Sequence, residues 1–206
     1  MKARPDFVFE REARALGARF IAGVDEVGRG PLAGPVCVAA VIFPAEAAVP
    51  KGIDDSKRLN RARREALFPL ILESALSVSF AYSCAEEIDR YNIRGATLRA
   101  MARAVAGLAV RPDFALIDGR DVPVPLGCPA RAIIGGDARS LSIAAASIVA
   151  KVARDRLMAR ADAHFPGFGF AAHAGYATAV HREALARLGP SLLHRCSFQS
   201  KPVTTS

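Results

Sequence analysis

Phe20-Ile21-Ala22-Gly23-Val24-Asp25-Glu26-Val27-Gly28-Arg29-Gly30-Pro31-Leu32-Ala33-Gly34-Pro35 is the stretch around which the rest of the chain is read. Its apolar opening, Phe20 to Val24, has the character of a buried strand. That strand delivers two adjacent carboxylates, Asp25 and Glu26, into a turn whose glycines permit left-handed backbone and close approach of another chain. Neighbouring side chains on a strand point to opposite faces, so both acids share a face only if the strand ends between them. Two acids held at a strand end repel each other, and a divalent cation is the simplest remedy; two solvated surface acids are the alternative. Gly28-Arg29-Gly30 adds weight to the first, because amides freed by glycines, with an arginine between them, suit a sugar-phosphate chain.

Outward from this stretch, Val36 to Phe43 is a second apolar strand closed by Pro44, and the short Gly-Pro connection predicts an antiparallel hairpin. Leu76, Val78, Phe80 and Tyr82 alternate with small, mostly polar residues, which predicts a third, half-exposed strand. Phe114-Ala115-Leu116-Ile117 repeats the opening arrangement by running into Asp118-Gly119, and Arg131-Ala132-Ile133-Ile134 runs into Gly135-Gly136-Asp137. An Asp-Gly turn after a strand is ordinary by itself. A sheet that gathers these three strand ends, however, makes a cluster of four carboxylates, Asp25, Glu26, Asp118 and Asp137, with no histidine required. Hard oxygen donors select Mg²⁺ or Mn²⁺.

Helical patterns fill the intervals. Residues 7–17 form a lead-in with Phe7, Phe9 and Leu16 as packing points. Gly52 to Leu59 is polar and caps the helix Arg61 to Ser74 or faces a substrate, and Pro69 is expected to kink or divide that helix. Ser83-Cys84-Ala85-Glu86 fits a capping box for a short helix ending at Arg90; a second helix follows a break at Gly95 and buries Leu98, Met101, Ala102, Val105 and Leu108. Ser140 to Arg160 contains neither glycine nor proline and reads as one long helix. Ile143, Ala146, Ala150, Ala153 and Leu157 make its buried stripe, while Ser147, Lys151 and Arg154 share another face, either solvated or turned to a ligand. A last helix runs to Leu188 and stops at Gly189-Pro190. The order predicts an α/β fold in one domain: a mixed sheet flanked by helices over about 17–160, a small helical portion over 161–198 and a loose tail over 199–206.

The chain has 206 residues, 51% of them hydrophobic, so it can bury a sizeable core, and its net charge of +8 suits a polyanionic partner. Only five of its 28 cations are lysines, which singles out Lys57 and Lys151 as places that use a compact ammonium where arginine is the default. Cys37, Cys84, Cys128 and Cys196 are too widely spaced for a Cys-x-x-Cys zinc site and read as reduced, mostly packed thiols. The charged start, Met1 to Asp6, lacks a signal-peptide apolar segment, and no run approaches membrane-spanning length; the expectation is a cytoplasmic monomer away from membranes. No P-loop pattern occurs, which argues against nucleotide hydrolysis of that kind.

Asp25 to Val36 resembles the signature of type 2 ribonuclease H, the bacterial ribonuclease HII group. Further blocks are similar to that family in the same order: Asp55-Ser56-Lys57, Glu87 to Ile93, Ala145 to Asp155, Gly175-Tyr176, and His194 to Phe198. The resemblance implies a ribonuclease H-like fold and a Mn²⁺- or Mg²⁺-dependent endoribonuclease. It implies cutting within RNA/DNA hybrids and 5′ to ribonucleotides embedded in duplex DNA, by two-metal-ion catalysis, leaving 5′-phosphate and 3′-hydroxyl ends. On this resemblance Asp25, Glu26, Asp118 and Asp137 are catalytic metal ligands, and Gly28, Arg29, Gly30 and Tyr176 read the ribonucleotide junction. Lys57 lies near the substrate face, and Ser147 and Lys151 face phosphates. Asp155, about five helical turns beyond Asp137, is a salt-bridge partner instead. The family's Lys-Gly-Tyr-Gly reads here as Ala174-Gly175-Tyr176-Ala177, without the lysine and the second glycine. The related ribonuclease HIII group carries an extra N-terminal domain, whereas 24 residues precede Asp25. A catalytically silent basic binding module would not need the four acids. A phosphoryl-transfer enzyme acting on small molecules or branched DNA would need them, but not Tyr176.

Overall fold

β1 (Ile21–Val27) runs through the middle of a five-stranded sheet, antiparallel to β2 (Val36–Ile42) on one side and parallel to β4 (Phe114–Asp118) on the other. β3 (Ser77–Ser83) extends the sheet antiparallel to β2, and β5 (Ala130–Ile133) extends it parallel to β4. This computed structural model describes residues 4–45 and 49–198; the tail expected over 199–206 lies outside the described residues. The mixed α/β sheet with helices on its faces is the architecture that the order of elements predicts.

β2 is apolar at every position because both of its faces are covered. On one face Ala22, Val24, Val36, Val38, Ala40 and Ile42 pack against Ile88, Ala100, Met101 and Ala104 of α3 (Ala85–Ala106). On the other, Cys37, Ala39 and Val41 pack against Leu67 and Ile71 of α2 (Arg61–Ser74) and Ala145, Ile148 and Val149 of α4 (Leu141–His164). Gly23 lets α4 cross β1 closely: a Cβ there would lie 2.2 Å from the Ser142 carbonyl carbon. The lead-in forms α1 (Val8–Ala15), whose Phe9 and Ala13 pack on Ile21, Leu116 and Ile133. After α4, the short α5 (Phe170–His173) and α6 (Ala179–Leu188) gather round a separate cluster of Ala33, Met158, Phe168, Phe170 and Ala184.

Several local expectations are corrected. β1 does not end at Val24; its ladder with β2 continues through Asp25↔Ala39, Glu26↔Val38 and Val27↔Cys37. Leu16 is exposed and packs on nothing in the core. Pro69 sits inside α2 without dividing it. The capping box is not formed: Ser83 Oγ donates to the Ala96 carbonyl (2.8 Å) and accepts from Arg103 (2.9 Å), which leaves Cys84 as an N-cap without a side-chain bond. The break in α3 falls at Asn92 (φ 56°), not Gly95. Asn92 Oδ1 accepts from the Gly95 amide at 3.0 Å and so caps the second half of the helix, a local bond that helps asparagine tolerate the left-handed region. α4 ends at His164, four residues beyond the expected Arg160. Cys37 is buried, but Cys84 and Cys196 are exposed. Among the described residues no helix is long and apolar enough to cross a membrane.

Candidate active site

The parallel pairing of β1 with β4 stops at Val24↔Ile117, and the two strands carry their acids just beyond it. The crevice outside the carboxyl ends of strands is where α/β sheets offer room for ligands. Asp25 lies on the α4 face, in phase with Gly23, and Glu26 lies on the α3 face, beside Leu98 and Met101. Alternation is therefore obeyed, yet oxygens of Asp25, Glu26 and Asp118 lie within 4.8 Å of one another.

Burial first, then the charges of Glu26, Asp118 and Asp137, hold the Asp25 carboxyl well above its ordinary pKa, although its Oδ1 accepts from the Glu26 amide at 2.7 Å. Burial also raises Glu26, outweighing the Arg29 guanidinium 3.5 Å away. Asp118 is raised by burial and by Asp137, against a 2.7 Å hydrogen bond from the Gly136 amide. Three acids that destabilise one another's charge fit a divalent cation, which would reverse those shifts, and an all-carboxylate donor set matches Mg²⁺ or Mn²⁺.

Asp137, the fourth expected carboxylate, lies outside this 4.8 Å grouping but close enough for its charge to act on Asp25 and Asp118. It sits on a 3₁₀ turn, Gly136–Ala138, nearly buried, and accepts an ion pair from Lys57 Nζ at 2.7 Å. Burial opposes the Lys57 charge, but Asp137, Asp25 and Asp55 outweigh it and raise the lysine's pKa. Asp137 thus borders the trio electrostatically while its own charge is met by Lys57. On the α3 side of Glu26 and Asp118, a cleft presents Arg29, Arg94 and Arg120, with Arg94 fork-bound to Asp121 at 2.7 and 2.8 Å.

The carbonyls of Gly28 and Arg29 accept from Arg195 Nη2 (2.5 Å) and Nη1 (2.8 Å), and Gly34 O accepts from the same guanidinium. A trans peptide points its C=O and the next N–H in opposite directions, so the Arg29 and Gly30 amides face away from Arg195. Gly28 has φ 91°, and a Cβ there would meet Arg154 Nε at 2.2 Å. Arg154 is fully buried and donates to the carbonyls of Pro35 (2.8 Å), Ala174 (2.9 Å) and Ala33 (3.2 Å). Its expected place on a solvated or ligand-facing stripe is therefore corrected: it ties α4 to two loops. Burial pulls both guanidiniums below the ordinary arginine value, and for Arg195 the Arg154 charge adds to it.

Ser147 is likewise buried and does not offer its hydroxyl to solvent; its Oγ donates to Ala144 O (3.0 Å) and accepts from the Ser56 amide (3.2 Å), which fastens the Asp55-Ser56-Lys57 segment to α4. Lys151 pairs with Asp155 at 2.7 Å, and Arg64 approaches the same carboxylate at 3.8 Å, the salt-bridge role expected of Asp155. Tyr176 presents a 41% exposed side chain, with Lys151 Nζ and the Arg154 guanidinium each 5.9 Å from its ring centre. Gly175 O accepts from the amides of Leu32 (2.9 Å) and Ala33 (3.3 Å), so the tyrosine loop is joined to the Gly28–Gly30 loop. A Cβ at Gly175, where φ is 81°, would lie 2.2 Å from Ala33 O. The inward roles of Arg154, Ser147 and Arg195 escape sequence reasoning, because a contact with a distant carbonyl leaves no periodic trace.

A sequence model of the family described as Ribonuclease HII matches residues 22–201. The Ribonuclease HII of Sinorhizobium fredii is 59% identical over 195 residues, covering 95% of this chain and 84% of that protein. Among solved structures, the RNase HII of Archaeoglobus fulgidus, seen in a complex with PCNA, has a TM-score of 0.74 and 29% identity, covering 90% of this chain and 98% of that one. Bst-RNase HIII in complex with Mn²⁺ shares the fold, with a TM-score of 0.64, 24% identity and coverage of 90% and 69%.

Proposed function

The chain belongs to the ribonuclease HII family of ribonucleases acting on RNA/DNA hybrids, and on that premise we propose that it also incises duplex DNA 5′ to single embedded ribonucleotides, leaving 5′-phosphate and 3′-hydroxyl ends. One observation supports this reading above the others: three convergent carboxylates stand next to a Gly-Arg-Gly loop that is hydrogen-bonded to an exposed tyrosine loop.

Asp25, Glu26 and Asp118, with Asp137 at their margin, would hold two Mg²⁺ or Mn²⁺ ions, which when bound activate the attacking water and offset charge at the leaving 3′-oxygen. The chain's own groups then divide the remaining work. Lys57 keeps the charge of Asp137 balanced beside the trio. The outward amides of Arg29 and Gly30 are donors placed to meet a ribose 2′-hydroxyl, the group that separates RNA from DNA. The Tyr176 ring supplies a flat surface for the adjoining sugar, backed by the cations of Lys151 and Arg154. Lys57 and Lys151 add positive charge along the strand's phosphates, and Ser147 contributes by holding Ser56 in place. A deoxyribose at the reading position would leave the amide donors unpaired, which is how such a site rejects it.

The test is incision of a labelled DNA duplex carrying one ribonucleotide, with Mg²⁺ or Mn²⁺. Cleavage 5′ to the ribonucleotide, with none on an all-DNA duplex, is expected. Cleavage of long hybrids alone would remove junction reading from the proposal, and no cleavage with either metal would overturn the carboxylate assignment.

A further inference from the structure

Three histidines lie behind the tyrosine loop and take no part in the chemistry above. His181 of α6 is fully buried and His194 nearly so. His181 Nδ1 lies 2.8 Å from the Tyr176 carbonyl oxygen, His181 Nε2 lies 3.1 Å from His194 Nε2, and the Ser191 amide lies 2.9 Å from His194 Nδ1. The two ends set the polarity of this chain. A backbone N–H only donates, so His194 Nδ1 accepts; a neutral His194 then carries its proton on Nε2 and donates it to His181 Nε2. His181 must hold its own proton on Nδ1, where it meets a carbonyl, which only accepts. Two neutral rings satisfy every link. One added proton disturbs the relay: it sets two N–H groups against each other at the ring–ring joint, or turns His194 Nδ1 from accepting the Ser191 amide to donating to the Ser191 hydroxyl 2.9 Å away.

The geometry points to His181 as a positioning residue for ribonucleotide recognition: fed by Ser191 and His194, it fixes the Tyr176 carbonyl and thereby the ring that faces the sugar. This inference deepens the reading of Tyr176 given above and rests on it. The Tyr176 backbone is held from both sides, its amide donating to His173 O at 2.9 Å and its carbonyl accepting from the Thr178 amide at 2.8 Å as well as from His181. His173 is organised in the same way: its Nδ1 accepts from the Gly175 amide at 3.1 Å, its Nε2 lies 2.8 Å from Phe168 O, and its ring stacks on His181 at 4.5 Å. Phe170 closes the apolar side, meeting the His181 ring edge-on at 5.5 Å.

The titratable and charged groups around the relay are His173 from α5, Tyr176 from the reading loop, Arg154 from α4, Arg195 next to His194, and Glu86 and Asp89 of α3, which line the same cavity as His194. Burial keeps both relay histidines below the ordinary histidine value, and the charge of His181 adds to it at His194, which is pushed down to about 4. The relay is therefore whole at neutral pH and gives way in acid.

The test uses the full chain with Mg²⁺ and reads the ratio of kcat/KM on a duplex with one ribonucleotide to kcat/KM on an RNA/DNA hybrid. The ratio cancels titration of the carboxylates, which both reactions share. His181→Phe is expected to lower it about tenfold, because a reading group displaced by about 1 Å loses its purchase. His181→Asn, whose amide can place an N–H near the Nδ1 position, is expected to restore most of it. In the wild type the ratio is expected to hold at neutral pH and to fall only as the pH approaches about 4, where His194 takes up its proton. An unchanged ratio in His181→Phe, while Tyr176→Ala still lowers it, overturns the positioning role alone. An unchanged ratio in Tyr176→Ala overturns the reading of Tyr176 and the relay with it. If His181→Phe does not fold, His194→Phe decides: it takes away the ring that feeds His181, and an unchanged ratio in that variant overturns the relay.

Discussion

The carboxylate trio and the Tyr176 loop are both precisely held, but by different means. Asp25, Glu26 and Asp118 ride on strands whose ladder bonds set their positions, so strand order alone decides which acids meet. The Tyr176 loop has no such ladder. It is held by Arg154 donating to Ala174 O, by His181 facing Tyr176 O, and by its own Gly175 carbonyl accepting from Leu32, while Arg195 holds the facing Gly28–Gly34 loop by its carbonyls. On the proposed reading the cutting centre would be a property of the sheet, whereas the choosing surface would depend on a few buried cations and imidazoles, the cations reaching 119 and 161 positions along the chain and His181 only five. Damage to the first should abolish all cleavage, and damage to the second should change which substrate is cut.

Asp118→Asn should have the largest effect, lowering kcat/KM by about a thousandfold or more on every substrate. Because it removes one charge from a mutually repelling trio, it should also raise the melting temperature measured without divalent metal. Equal loss on both substrates with that gain in stability would sharpen the contrast, and a selective loss would break it.

Arg195→Met comes next. It strands the carbonyls of Gly28, Arg29 and Gly34, at an expected cost of about 3–4 kcal/mol in denaturant unfolding, with a further loss confined to junction cleavage in whatever fraction stays folded. An equal loss on hybrids would show that the choosing surface also supports the cutting centre.

Acid should act on the C-terminal region before it unfolds the sheet. His194 has a folded pKa pushed down to about 4 from the ordinary 6.5, so the unfolded chain takes up the proton first. Its contribution is complete above about pH 6.5 and is lost as the pH falls toward 4, a window worth about 1–3 kcal/mol. Hydrogen exchange followed from pH 7 downward should report it first in α6 and the tyrosine loop.

The smallest effect is expected at Ala174, a non-glycine residue at φ 48°. Ala174→Gly relieves left-handed strain and should stabilise the protein by about 0.5 kcal/mol in thermal melts, less than the strain itself because glycine gives the unfolded chain more freedom. The substrate ratio should not move, since the carbonyl that Arg154 holds is retained.

The same contrast explains what could be read from the amino-acid sequence. Asp25, Glu26 and Asp118 were legible as positions because each follows a short apolar run, and the order of those runs implied a mixed sheet. The true end of β1 was not legible, since pairing with β2 carries the strand past its apolar segment. The break in α3 is not legible either, because glycine is the commoner signal, whereas here the side chain of Asn92 caps the turn. Arg154 bonds Pro35 across 119 positions and Arg195 bonds Gly34 across 161, and nothing in local pattern anticipates such reach.

The most direct measurement is kcat/KM of Tyr176→Ala, relative to wild type, on a single-ribonucleotide duplex and on an RNA/DNA hybrid under identical metal conditions. Separate placement of cutting and choosing predicts a loss of tenfold or more on the first and about twofold or less on the second. Equal losses on both would contradict it, and would make Tyr176 part of the cutting centre.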